Sequence, residues 1–121
     1  MKNNYAIRRQ WMREEAHMRT AIRPLRNAVN KALKASGIKH SKYYKGGRIK
    51  GTGGTTEGWE TESQIWSQPH SVTVKINATS FAREYDHDYE KKLADIAETA
   101  LAGFEYVRNG NKFEVYPTPT A

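Results

Sequence analysis

Four histidines, His17, His40, His70 and His87, are the side chains whose ordinary pKa suits proton transfer near neutral pH. They are scattered, each in a different stretch of the chain, and no spacing pairs one with a nucleophile or a second base. A small basic ribonuclease-type toxin could use one of them with a tyrosine or an arginine. Nothing in the spacing selects such a pair, so no catalytic residue is assigned. The run Glu84-Tyr85-Asp86-His87-Asp88-Tyr89-Glu90 holds donors that suit a divalent cation. Consecutive residues at a helix start point in different directions, however, and helix capping already accounts for the acids. No metal site is therefore expected. The run Gly51-Thr52-Gly53-Gly54-Thr55-Thr56 has the composition of a phosphate cradle. No GK[ST] follows it, and the strand–loop–helix context is missing, so it reads as a flexible linker. No cofactor motif is present. Cysteine is absent, which excludes a disulfide scaffold, a thiolate metal site and a cysteine nucleophile.

The remaining chemistry is charge. Residues 1–50 hold 14 lysines and arginines against two acids, Glu14 and Glu15, a net +12. Residues 51–121 hold six lysines and arginines against 11 acids, a net −5. A basic block of this kind attracts polyanions over the Debye length, about 8 Å at physiological salt. DNA or RNA is the usual polyanion in a cell. The candidate contacts are Arg8, Arg9, Arg13, Arg19, Arg23 and Arg26 on a helix, with Lys42, Lys45, Arg48 and Lys50 in the loop that follows. Tyr43 and Tyr44 lie between those lysines, and aromatic rings among cations suit single strands. The competing expectations are a solvated face with core tyrosines, an acidic protein surface as partner, and attraction between the two halves, within one chain or across a homo-oligomer.

These side chains need elements to position them. Residues 5–36 read as helix, with Ile7, Trp11, Met18, Ile22, Leu25, Val29, Ala32 and Leu33 on one stripe. Pro24 predicts a kink, or a split into helices over 5–22 and 24–36. Gly37 is expected to cap the C-terminus. Trp11, Met18, Leu25 and Ala32 are seven apart, but Glu15 breaks the seam, so core packing is expected over a coiled coil. Residues 37–58 read as a loop with an edge strand near Tyr43–Lys50.

Residues 59–77 read as a β-hairpin: Val72, Val74 and Ile76 alternate with Thr73 and Lys75, and Gln68-Pro69-His70 is the connection. Residues 86–103 read as a helix with the stripe Tyr89, Leu93, Ile96, Ala97, Ala100 and Leu101, N-capped by Asp86 or Asp88. Residues 104–116 read as a second hairpin turning at Asn109-Gly110. That turn pairs Tyr106 with Phe113 and sets Glu105 against Glu114.

The order α-ββ-α-ββ predicts an α+β fold, both helices on one face of a small antiparallel sheet. A single domain over 1–121 is expected, with a basic helical segment (5–36), a glycine-rich loop (37–58), a scaffold (59–116) and a tail (117–121). No run approaches the 18 apolar residues of a membrane span, and Met1–Gln10 lacks the apolar core of a secretory signal. A cytoplasmic location with no membrane partner is the expectation.

The segment Ala100-Leu101-Ala102-Gly103-Phe104-Glu105-Tyr106-Val107-Arg108-Asn109-Gly110 resembles the helix-to-hairpin joint of many small α+β proteins, the HicA toxin family among them. The likeness covers about a tenth of the chain. That family's motif places a histidine on the next strand, where this chain has Lys112 and Phe113, so no activity is carried over. In general character the chain resembles small accessory proteins of bacteriophages and mobile elements. The expectation is a non-enzymatic protein engaging nucleic acid or a nucleoprotein through its basic half. The alternative is a protein–protein module, such as a phage inhibitor of a host protein or a small virion component. In that alternative Trp11, Met12 and Met18 form an interface instead of core.

Overall fold

Alternating apolar residues set the central strands. In the computed structural model, which describes residues 4–44 and 54–117, β3 (Gly58–Gln64) and β4 (Ser71–Asn77) pair antiparallel, with Trp59 opposite Ile76 and Thr61 opposite Val74. Two short strands precede them, β1 (Tyr43–Tyr44) and β2 (Gly54–Thr55), paired antiparallel. β5 (Glu105–Asn109) and β6 (Lys112–Tyr116) close the chain. The main sheet has the order β3-β4-β6-β5, antiparallel throughout. Three helices accompany it: α1 (Asn4–Ala35), α2 (Ser80–Tyr85) and α3 (Tyr89–Ala100).

The side chains of Val72, Val74, Ile76, Phe113 and Val115 fill one face of the sheet. Ile22, Val29 and Leu33 of α1, and Ala94 and Ala97 of α3 with the following Leu101, belong to the same buried cluster. Each fully buried aliphatic or Phe side chain contributes about 1.5–3 kcal/mol of transfer free energy. Exposed ion pairs contribute ~1 kcal/mol or less, so this cluster holds the layers together. The opposite sheet face carries Glu60, Glu62, Thr73, Lys75, Lys112 and Glu114, none of them buried. Ser71 is buried on that face and donates its hydroxyl to Glu114 at 2.7 Å.

Local chemistry explains where the structure departs from expectation. α1 is one helix of 32 residues, unbroken across Pro24. Pro24 and Thr20 both lie exposed, so the Thr20 carbonyl that loses its amide partner faces water. The packing of Met18, Ile22, Leu25, Val29 and Leu33 spans the proline on both sides. α2 was not legible in the sequence; the Thr79 hydroxyl caps it, accepting from the Ala82 amide at 3.2 Å.

Asp88 sits at the N-cap of α3 but makes no side-chain cap bond. Asp86 instead accepts from the Asp88 amide at 3.0 Å and pairs with Lys92. Those contacts, the Lys92 bond first, hold the Asp86 carboxyl below its usual range. Ala94 faces the core, while Ile96 is exposed.

The second hairpin turns at Gly110-Asn111, with Asn109 opposite Lys112, so Tyr106 meets Val115 and Arg108 meets Phe113. Gly110 has φ 66° and no non-glycine residue among those described has positive φ, the signs of a turn with glycine in its first position. The cause is Asn111. Its side-chain amide donates to the Ile76 carbonyl at 2.7 Å, and its carbonyl accepts from the Ile76 amide at 2.9 Å. This extends the β4–β6 ladder by one pair and moves Glu105 away from Glu114, opposite Tyr116.

Arg108 ties α3 to edge strand β5. It donates to Asp95 at 2.8 Å and to Glu98, and its guanidinium lies over the Phe113 ring. The Tyr106 hydroxyl also donates to Glu98. The Arg108 bond is the first cause that holds the carboxyls of both Asp95 and Glu98 below their usual range. A lowered folded-state pKa means stability that is present above the ordinary carboxylate value of about 4 and lost as pH falls through the folded value. Replacing Arg108→Leu therefore lowers Tm near neutrality and narrows the Tm difference between pH 6 and pH 3, measured by thermal melts across that range.

Gly58 makes the tightest approach in the fold. Its φ is 141°, and a Cβ there falls 1.9 Å from the Lys39 carbonyl oxygen. That closeness lets Trp59 donate its amide to the Lys39 carbonyl and accept from Ser41, joining the post-α1 segment to β3. Gly58→Ala is expected to cost about 3 kcal/mol or more, read as a fall in Tm of roughly 10 °C.

Candidate functional site

A helix of 32 residues is about 48 Å long at 1.5 Å per residue. A seven-residue strand spans about 23 Å, so α1 overhangs the sheet. Met18 is its first residue packed on the core. Residues 5–17 are exposed throughout, except that Glu15 is half-buried. Ile7 and Trp11 continue the same stripe that buries Ile22, Val29 and Leu33, yet among the described residues nothing covers it. Trp11 is 61% exposed.

At about 100° per residue, Arg8, Arg9, Arg13, Arg19, Arg23 and Arg26 fall within an arc of roughly 140° beside that stripe. Tyr5 and Met12 lie exposed within the same arc. The Arg9 guanidinium stacks over the Tyr5 ring, 5.1 Å from its centre. Arg8, Arg13 and Arg23 are exposed and make no ion pair among the described residues. Arg19 is held to Glu15 at 2.9 Å, one turn back, with both groups about half exposed. Arg26 is different: it is half-buried and donates to the Thr61 carbonyl of edge strand β3 at 3.1 Å. Beside it the Thr61 hydroxyl donates to Asn30 at 2.7 Å. Arg26 thus seats α1 on the sheet.

The loop candidates separate from this group. Lys42 is exposed and lines an open cleft with Lys39, His40, Thr56 and Glu57. The backbones of Tyr43 and Tyr44 form β1, while Lys45, Arg48 and Lys50 lie outside the described residues.

The sequence reads Ile65 and Trp66 as apolar anchors of a strand over Trp59–Ser67, but β3 ends at Gln64 and Trp66 falls outside it. It stands 61% exposed in the β3–β4 connection. With Ile65, Gln68 and, from α1, Arg13, Glu14, His17 and Met18, it lines an open notch of about 440 Å³. Arg13 also lines a second cleft with Arg9 and Met12, so the notch runs into the basic arc. The only signal was an apolar pair, Ile65-Trp66, next to a turn. Its outward aim follows from Ile65 being buried beside it.

His17 lies in this notch, His40 stacks on Trp59 with ring centres 4.4 Å apart, and His70 sits by Pro69 and Pro117. His87 is exposed between α2 and α3. Among the described residues no three His, Asp or Glu side chains converge, and no helix is long and apolar enough to cross a membrane.

Comparisons with protein-family models, curated proteins and solved structures return no match for this chain.

The two kinds of arginine separate by stability. Arg26→Ala removes a half-buried bond and is expected to lower stability by about 1 kcal/mol. Arg8→Ala, Arg13→Ala and Arg23→Ala each stay within about 0.5 kcal/mol of the parent. Chemical denaturation of the four variants checks this.

Proposed function

We propose that the protein is a non-enzymatic binding protein that engages nucleic acid, or a nucleoprotein, through the projecting basic half of α1. One observation carries this reading: Arg8, Arg9, Arg13 and Arg23 of the arc stay exposed to an outside anion. They are not drawn into the carboxylates of the second half. Asp86 pairs with Lys92, Asp95 with Lys91 and Arg108, and Glu98 with Arg108, all cations from that same half. The contacts proposed on the helix are Arg8, Arg9, Arg13, Arg19 and Arg23, and Lys42 lies apart from them on its own cleft. Such an interface is chiefly electrostatic, and its cations position the protein without reading sequence. A cysteine-free chain suits the reducing cytoplasm, where nucleic acid is met.

The uncovered stripe residues Ile7 and Trp11 favour a second reading, a protein partner with an acidic rim around an apolar seat. Affinity purification with and without nuclease treatment separates the two, since a nucleic-acid complex is lost on digestion and a protein complex is kept.

The first reading makes a quantitative prediction. Binding to DNA or RNA measured by fluorescence anisotropy weakens with salt, at about −0.9 in log–log slope per neutralised phosphate for duplex and about −0.7 for single strands. Replacing Arg8, Arg9 and Arg13 together by alanine should reduce the slope magnitude by roughly 2–3 without lowering Tm. No binding to duplex DNA, single strands or RNA at low salt removes the proposal.

A further inference from the structure

We infer that the notch beneath the α1 overhang holds an unpaired nucleobase stacked on Trp66, with the strand's phosphates running over Arg13 towards Arg9. This rests on the nucleic-acid reading above and names the form of nucleic acid that the site selects. Trp66 presents most of its surface to solvent, at the edge of a notch whose floor includes Met18 and the buried Ile65. An exposed indole beside an apolar floor is a stacking platform, and every base has a π-face to lay on it.

The notch volume, about 440 Å³, is within the range of small-ligand sites. Its polar groups are few and suit a base edge. Gln68 brings an amide that both donates and accepts, and His17 brings ring nitrogens. Glu14 accepts from Gln10 at 3.3 Å, which steadies the carboxylate on the notch wall.

Charge decides the occupant. Arg13 belongs to the notch and to the neighbouring cleft of Arg9 and Met12, so a chain lying along both meets two guanidiniums in sequence. A second copy of this protein docking its own overhang there would bring Arg8, Arg9 and Arg13 against the same arginines, a like-charge repulsion that Glu14 and Glu15 offset only in part. A nucleic-acid backbone meets the arginines with the opposite sign. Duplex DNA cannot use the notch, because its bases are stacked on one another and closed to an incoming ring. A single strand can turn one base inward while its phosphates stay on the arc.

The test compares a short fluorescein-labelled oligo(dT) with a duplex of equal phosphate number, using the full chain and its Trp66→Ala, Trp66→Phe and Arg13→Ala variants. The expected result is tighter binding of oligo(dT) than duplex, with a loss of roughly five- to a hundredfold for oligo(dT) in Trp66→Ala. Trp66→Phe retains most of the affinity, and duplex binding is unchanged by either. Arg13→Ala weakens both ligands. Trp66 is exposed, so its variants keep the parental Tm.

Equal binding of strand and duplex, or Trp66→Ala behaving as the parent, overturns the stacking inference and leaves the electrostatic reading standing. No binding of either ligand, or of an RNA strand of the same length, at low salt overturns both. So does a nuclease-resistant protein complex whose binding depends on Trp66.

Discussion

Everything outward-facing in this molecule depends on how the C-terminal half of α1 is seated. Ile22, Val29 and Leu33 are buried in one cluster with Val72, Val74 and Ile76 of the central strand, and Arg26 and Asn30 bind Thr61 at the sheet edge. A helix is stiff over its length, so anchoring one half aims the other. The sheet ends before the helix does, and the excess of α1 leaves with its stripe uncovered and its arginines in water.

The second constraint is electrostatic segregation. Opposite halves of one chain, +12 and −5, could have folded into mutual neutralisation. Among the described residues, Asp86, Asp95 and Glu98 instead take nearer partners from their own half. Lys91 reaches Asp95 one helical turn on, Lys92 reaches back to Asp86, and Arg108 rises from β5 between Asp95 and Glu98. These contacts are short, local and made within the α3–β5 unit. The overhang projects from the other half of α1. Each exposed pair is individually weak, yet these acids do not pair with Arg8, Arg13 or Arg23, which stay exposed on the helix.

Trp59 and Trp66 show why residue type alone could not locate the site. Trp59 is buried: its ring nitrogen donates to the Ile38 carbonyl at 3.1 Å, and its ring carries His40. Trp66 is exposed seven residues later. In sequence both are tryptophans in one hairpin. The side on which each ring falls depends on where β3 stops pairing, and that is set by the Gln64–Ser71 register.

Much of the fold was legible because local periodicity is a physical constraint. The alternation in Val72-Thr73-Val74-Lys75-Ile76 and the 3.6-residue periodicity of α1 and α3 set the α-ββ-α-ββ order, though the buried side of α3 is turned to Ala94 and away from Ile96. The clustering of arginines on one helical arc was equally legible, since a helix converts spacing directly into angle. What lay beyond the sequence were quantities that depend on partners distant in the chain. Asn111 chose the turn by binding Ile76, Thr61 took Arg26 out of the basic surface, and the mismatch between helix and strand lengths made the overhang. The notch at Trp66 likewise exists only where α1 crosses the β3–β4 connection, a meeting of segments some fifty residues apart that no local pattern encodes.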